Sequence, residues 1–317
     1  MILVTLATFA AVSTAVAAGL ASSWPRLAAS LGQLSAVTRA RVLVALRLAP
    51  VAVAVLACVA TLLAFLRHEP RATLETPGGI LIAGAAAGIG LAVMGLWRLV
   101  ERCRATSRFC RMAARTATRV TVPGAALPVW QLDAAFPLVA LAGIWRPHVL
   151  IARCVLEQIP DNELQVILRH EIAHARRRDN LVRLLLTGLP DVLSLIQPRV
   201  GIERAWHETA EDAADDLATG DDAQRRVCLA AGLVRVARMA GQQAAPAVPL
   251  FAFHEGESVA RRVRRLLDSA PPRSVPPILL VLMTVALASG ALALWLRLDP
   301  VLLGVHHATE WLVNARP

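Results

Sequence analysis

The chain has 317 residues, 56% of them hydrophobic, with a net charge of +10 and positive mean hydropathy. Apolar residues this abundant, gathered into four blocks, exclude an ordinary soluble domain. The arginines cluster beside those blocks, so membrane topology explains the positive charge and no direct nucleic-acid partner is expected; five scattered cysteines without a CxxC pair exclude a disulfide framework and a cysteine zinc site.

A helix needs about 20 mainly apolar residues to cross the hydrocarbon core, because its backbone groups must be bonded internally. Residues 2–20, 42–66, 78–100 and 276–298 meet that need. The first block is Ala-rich and N-terminal but lacks the basic start of a signal peptide, so it reads as a retained span. The third holds Gly84 and Gly88, a spacing that lets helices approach closely in lipid and allows a homo-oligomer.

Arginine bias sets the expected orientation. Arg26, Arg39 and Arg41 follow the first span, Arg98 to Arg115 follow the third, and Arg261 to Arg273 precede the fourth. These flanks are expected in the cytoplasm. The loop around Arg67–Glu75 and the tail from Asp299 are expected outside, as are both termini. Residues 1–101 are thus read as three spans, 102–275 as a cytoplasmic domain, 276–298 as a fourth span and 299–317 as a short outer tail. Unpaired cysteines suit a reducing compartment. Leu181–Ile196 is apolar but broken by Arg183, Pro190 and Asp191, and reads as a helix lying against the bilayer or under the membrane domain.

The chemistry lies in "LRHEIAHARRRDNL", Leu168 to Leu181. Pro160, Asp161 and Glu163 form a helix start, and Leu164, Leu168, Ile172 and Ala175 recur at helical spacing as an apolar face. On that helix His170 and His174 stand one turn apart on one side, where two imidazoles can converge on one metal. Glu171 beside them is placed to take a proton from water. This is the H-E-x-x-H arrangement of zinc peptidases. Catalytic zinc takes three protein ligands and keeps one position open, so a third ligand must come from elsewhere.

Downstream, Glu203 to Gly220 reads as an acid-rich helix. Two registers offer a ligand and an outer partner one turn on: Glu211 with Asp215, or Glu208 with Asp212. Ala213 and Ala214 before Asp215 would allow close packing on the motif helix and favour Glu211. In that register Asp215 hydrogen-bonds the outer nitrogen of a histidine ligand and fixes its tautomer. His207 and His254 are the candidates for stabilising the transition state.

These residues resemble the BlaR/MecR-type antirepressor metallopeptidases, integral membrane gluzincins of bacteria. The resemblance rests on His170, Glu171, His174, Arg177, Arg178 and Asp179, then Glu211, Asp215 and Asp216, and on the order of spans around the zinc domain. It extends to "PLVALAGIWRPHVLIA", Pro137 to Ala152, which is similar to the family's short strands, whose edge could pair with an extended substrate. It extends also to "SVARRVRRLLD", Ser258 to Asp268, similar to the family's basic helix before the last span. The resemblance implies a mainly α, four-span protein of the cytoplasmic (inner) membrane with a cytoplasmic α+β gluzincin-like zinc metallopeptidase domain. It implies zinc as cofactor and a cytoplasmic protein substrate, typically a transcriptional repressor, with membrane lipid as surroundings. The large penicillin-binding sensor of that family has no counterpart in Asp299–Pro317, and no S-x-x-K motif follows the last span. Housekeeping membrane gluzincins share the H-E-x-x-H and Glu-x-x-x-Asp helices, and His254 resembles a histidine they use near the transition state. Membrane-protein quality control is the alternative function, and a non-catalytic signalling or scaffold protein is the third.

Overall fold

A computed structural model describes residues 1–68, 78–134, 136–189, 201–241, 256–268 and a few positions near the C-terminus. The expected fourth span, residues 276–298, lies outside the described residues, as do most of the 299–317 tail and His254.

Three long helices open the chain: α1 (Ile2–Leu31), α2 (Ala36–His68) and α3 (Gly79–Thr116). Each is long and apolar enough to cross a membrane. Each also outruns the span read from hydropathy. At 1.5 Å per residue the 38-residue α3 is about 57 Å long, against a hydrocarbon core of about 30 Å. Hydropathy marks only the part that needs lipid; the helix itself continues because nothing after Val100 breaks it until Ala117 turns extended. The boundary expected at residue 102 therefore falls inside a continuous helix. Leu56, Val93 and Leu96 are exposed on this bundle, as lipid-facing side chains should be.

Gly84 and Gly88 face α1. A Cβ at Gly84 would meet Ala7, and one at Gly88 would strike the backbone of Leu6. The close-packing spacing read from the sequence thus serves a contact within the chain.

The end of α3 feeds a four-stranded sheet: β1 (Thr118–Val120), β2 (Val129–Leu132), β3 (Val139–Ala142) and β4 (His148–Ala152). The order is β1-β2-β4-β3, with β2 and β4 parallel and the other pairs antiparallel. β3 therefore lies at an edge. The β3–β4 turn depends on Gly143, which has φ +87° and whose Cβ would meet the Arg146 carbonyl at 2.6 Å.

Six helices follow among the described residues: α4 (Arg153–Gln158), α5 (Asp161–Arg177), α6 (Asp179–Gly188), α7 (Ile202–Thr219), α8 (Ala223–Gly241) and α9 (Gly256–Leu267). Pro160 caps α5, and Asp161 and Glu163 sit in its first turn, where acids favour the helix dipole. The apolar face expected on α5 is only part of what it buries. Glu163, Val166, Ile167, His170, Glu171 and His174 are buried too, whereas Ile172 and Ala175 stay partly exposed. The reason is that α5 is central, packed against β3, α7 and α8 together.

One core joins the sheet to α5, α8 and α9 through Val149, Ile151, Leu168, Leu229 and Leu266. A second joins the membrane helices to the rest. Leu43 of α2, Leu186 of α6 and Ile202 and Trp206 of α7 are all buried there. The segment expected to lie under the membrane domain is, over its described part, α6, which packs on α3; a Cβ at its Gly188 would touch Leu99. The acidic helix is thus anchored directly against α2 of the three-helix bundle.

Candidate metal centre

Two helices supply the converging groups. His170 and His174 project from α5 with their Nε2 atoms 3.1 Å apart and their rings nearly perpendicular, at 87°. Glu211 comes from α7. Its Oε2 lies 3.4 Å from His170 Nε2 and its Oε1 lies 3.5 Å from His174 Nε2. The close approach of α7 is made possible by Ala213 and Ala214, both fully buried. The rival register points elsewhere. Glu208 pairs with Arg204 at 3.0 Å, and Asp212 pairs with Arg261 at 2.8 Å.

A carboxylate stands behind each histidine. Asp215 Oδ1 lies 2.9 Å from His170 Nδ1, at an angle outside a straight hydrogen bond. Asp179 Oδ2 lies 2.7 Å from His174 Nδ1. Asp179 reaches back because Arg178 takes the left-handed conformation, φ 56° and ψ 38°, ending α5 and starting α6 at once. A non-glycine residue there carries strain of order 1–3 kcal/mol. Arg177 also contacts Asp179, at 3.3 Å.

Arg262 of α9 enters the same cluster. Its Nη2 donates to Asp215 Oδ1 at 2.6 Å, its Nε donates to Asp215 Oδ2 at 3.0 Å, and its Nη1 lies 3.0 Å from Glu211 Oε2. Its side chain is buried. The neighbouring Arg265 reaches Asp216 at 2.8 Å, so α9 clamps α7 along its acidic face.

The charges determine the protonation states. Burial opposes charge on His174, but Glu211 and Asp179 overcome it and push its pKa up to about 10. Burial also opposes charge on His170, and Asp215 and Glu211 raise its pKa above the usual value. For Asp215, burial is outweighed by Arg262 and His170, and the carboxyl is held well below its usual range. For Glu211, His174 and Arg262 do the same.

The residues fit a metal ion. His170, His174 and Glu211 each offer one ligand atom, and these atoms lie within 4.8 Å of one another. With zinc–nitrogen bonds of about 2.0–2.1 Å, neighbouring ligands of a tetrahedral ion stand about 3.3 Å apart, close to the 3.1–3.5 Å separations found. Both outer nitrogens lie against carboxylates, which leaves the two inner nitrogens free to offer lone pairs to one ion once their protons are displaced. Glu211 Oε2 is buried without a hydrogen bond of good geometry. Such a set needs either shared protons or a cation.

This competition gives a pH prediction for metal-free protein. The raised His174 pKa contributes stability that is fully present below 6.5 and lost as pH rises through about 10. The depressed Asp215 and Glu211 contribute stability present above the usual carboxylate values of 3.8 and 4.5 and lost as pH falls below them. Chelator-treated protein should therefore show its highest melting temperature between about pH 4.5 and 6.5 and lose stability towards pH 10. Zinc-loaded protein should lose far less on the alkaline side, because the ion replaces the protons. Thermal melts across pH, with and without metal, check this.

The remaining candidates stand apart. His207 lies one turn before Glu211 on α7, with its ring 4.9 Å from Trp206 and its Nε2 4.0 Å from Glu203. Burial and Arg183 lower its pKa to about 4, so it is neutral near pH 7. It is not among the groups converging on the imidazoles. The sequence offers Asp179 only as a motif residue and Arg262 only as one of the flanking arginines, with no role at the metal centre for either. Arg262 had a signal: with Val259, Val263 and Leu266 it falls on the inward face of α9 at helical spacing. Asp179 belongs to the motif that carries the resemblance, but its contact with His174 could not be read from it, because that reach depends on the turn at Arg178. Asn180 was also missed; its amide donates to the carbonyls of Leu141 at 3.1 Å and Gly143 at 3.0 Å, tying α6 to the edge strand β3.

Residues 106–246 match Peptidase family M48. The match covers the sheet, both ligand-bearing helices and α8, and supports a metallopeptidase domain. No curated protein matches the chain.

Proposed function

We propose that the chain is a membrane zinc endopeptidase whose site is built by His170, His174 and Glu211, with Glu171 as the proton-transferring group. The observation that carries this is the convergence of two imidazoles and a carboxylate, each braced from behind, beside a buried glutamate in a metallopeptidase domain. When bound, zinc supplies Lewis acidity at the scissile carbonyl and the attacking water. Glu171, buried on α5 between the two histidines, accepts the proton from that water and returns it to the leaving amine. Asp215 and Asp179 hold the imidazoles in the tautomer that directs Nε2 inwards. Arg262 holds Glu211 and Asp215 in register and offsets their mutual repulsion.

The arginine-rich flanks support a cytoplasmic position for the peptidase domain, with a fourth span at 276–298 and both termini outside. The motif order Glu171, Asp179, Glu211, Asp215 and the basic α9 support an antirepressor role, in which one cytoplasmic protein is the client. The test is a comparison of protein half-lives in cells carrying wild-type or Glu171→Gln protein. Regulated proteolysis predicts one cytoplasmic DNA-binding protein stabilised. Many stabilised membrane proteins would instead fit quality control, and no difference would leave the enzyme reading without support.

A further inference from the structure

Contacts among α3, α6 and the β3–β4 turn fix how far that turn lies from the membrane. Gly188, at the end of α6, lies against Leu99 of α3, where the apolar part of α3 stops. Eight residues earlier on α6, the Asn180 amide donates to the carbonyl of Gly143. The backbone N–H of the same glycine lies against Cys110 of α3. At 1.5 Å per residue, the level of Gly143 is about 12 Å from that of Leu99 along α6 and about 16 Å along α3.

The turn points back towards Leu99. From its tip, β4 leads through α4 to Asp161, and α5 then returns about 25 Å to Arg178, where α6 continues towards Leu99. The tip is therefore the end of the sheet nearest to the membrane. It carries Trp145 and Arg146. Trp145 is 80% exposed, more than Leu56 at 68% and Trp97 at 64% on the lipid-facing bundle. Arg146 is exposed beside it. The turn that presents them is built closely: Gly143 takes φ +87°, and the Arg146 carbonyl lies 3.2 Å from His148 Nδ1. Arg104 and Arg108 are exposed on the stretch of α3 between the two levels.

We propose that this tip is an interfacial anchor: Trp145 enters the headgroup layer, and Arg146 with Arg104 and Arg108 draws it to the phosphates of anionic lipids. The proposal rests on α3 crossing the bilayer and is independent of the peptidase chemistry. Each headgroup layer is about 5–7 Å thick outside the hydrocarbon core. Two extended residues, from Gly143 to Trp145, advance about 7 Å. That leaves the Trp145 backbone about 5–9 Å from the level of Leu99, at the outer edge of the layer, with the indole reaching further. An indole has an apolar body and one N–H donor, which suits a boundary between lipid and water. Arginines so close to an anionic surface lie within its screening length of about 8 Å and add attraction. Asn180, which holds the turn, follows Asp179, the carboxylate behind His174. The anchor therefore also fixes the distance of the metal centre from the membrane.

The test uses the full-length protein in vesicles of phosphatidylcholine, with or without phosphatidylglycerol, whose acyl chains are brominated near the headgroup. The emission of Trp145 is the difference between wild type and Trp145→Ser, a substitution at an exposed position that leaves the packing intact. That emission should be blue-shifted, quenched by the brominated chains and shielded from acrylamide. Phosphatidylglycerol should deepen the lipid quenching, and Arg146→Gln should lose that increment. Emission that acrylamide quenches freely and brominated chains do not would overturn the proposal. Shielding from acrylamide without lipid quenching would also overturn it, because a protein surface would then cover the tip. Lipid quenching that is equal with and without phosphatidylglycerol would overturn the choice of an anionic surface.

Discussion

Replacing Glu171 by glutamine is expected to slow peptide cleavage by roughly 10²–10⁴-fold, the range that a positioned acid–base group contributes. The substitution keeps the shape of the side chain and removes its basicity. Glu171 is not one of the three groups that converge as ligands, so zinc content should be unchanged. It is buried on the same turn as the histidines, and among the described residues the other carboxylates at the site are already engaged. Asp179 and Asp215 are engaged with the outer nitrogens and with Arg177 and Arg262, and Glu211 is the third ligand candidate. Cleavage rates and bound zinc, measured on the same preparations, check both halves of this expectation. A variant that retained zinc and wild-type activity would remove Glu171 from the mechanism.

The second large effect is expected at Arg262. Its guanidinium is buried and is the shared partner of Asp215, which is fully buried, and Glu211. Arg262→Leu leaves two carboxylates in the interior with less compensation. Breaking one side of a buried charge pair typically costs about 3–5 kcal/mol. Chemical denaturation in detergent should show a loss of that size, and zinc should reduce it, because the ion supplies positive charge at Glu211. Removing the buried partner as well, in Arg262→Leu with Asp215→Leu, should recover part of the loss. Arg262→Lys should fall between, since an ammonium cannot keep the paired contacts to Asp215 that the guanidinium makes through Nε and Nη2. A Leu variant as stable as wild type would mean that the carboxylates are neutralised in some other way.

Much of this site is legible in the residues, because helical spacing is a strong geometric statement. His170 and His174 at i and i+4 must share a face, and so must Glu211 and Asp215. The preference for Glu211 over Glu208 also rests on chemistry visible in the sequence, the small residues Ala213 and Ala214, which are buried on the helix that packs against α5. The groups that escape are those placed by the path of the chain. Asp179 depends on one left-handed residue, Arg178, that no propensity marks. Arg262 lies 51 residues beyond Glu211 in sequence, and it is one of five arginines between 261 and 273 that together invite a topological explanation. In the fold, at least Arg261, Arg262 and Arg265 are ion-paired with α7, so they do structural work whatever they also do for orientation. The membrane helices show the opposite case: hydropathy marks their lipid-facing parts and is silent about their ends, because a polar extension of a helix needs no apolar signal. Gly84 and Gly88 carry a contact signal that does not name the partner, and the fold assigns it to α1.

Whether His170, His174 and Glu211 hold one zinc ion is decided by the metal content of the protein. Detergent-purified wild type and Glu211→Ala, each dialysed against the same weak chelator, are measured by elemental analysis. About one zinc per chain is expected in the wild type, as a three-ligand catalytic site requires, with a strong reduction in the variant. Zinc retained equally by Glu211→Ala, or absent from folded wild type, would contradict it.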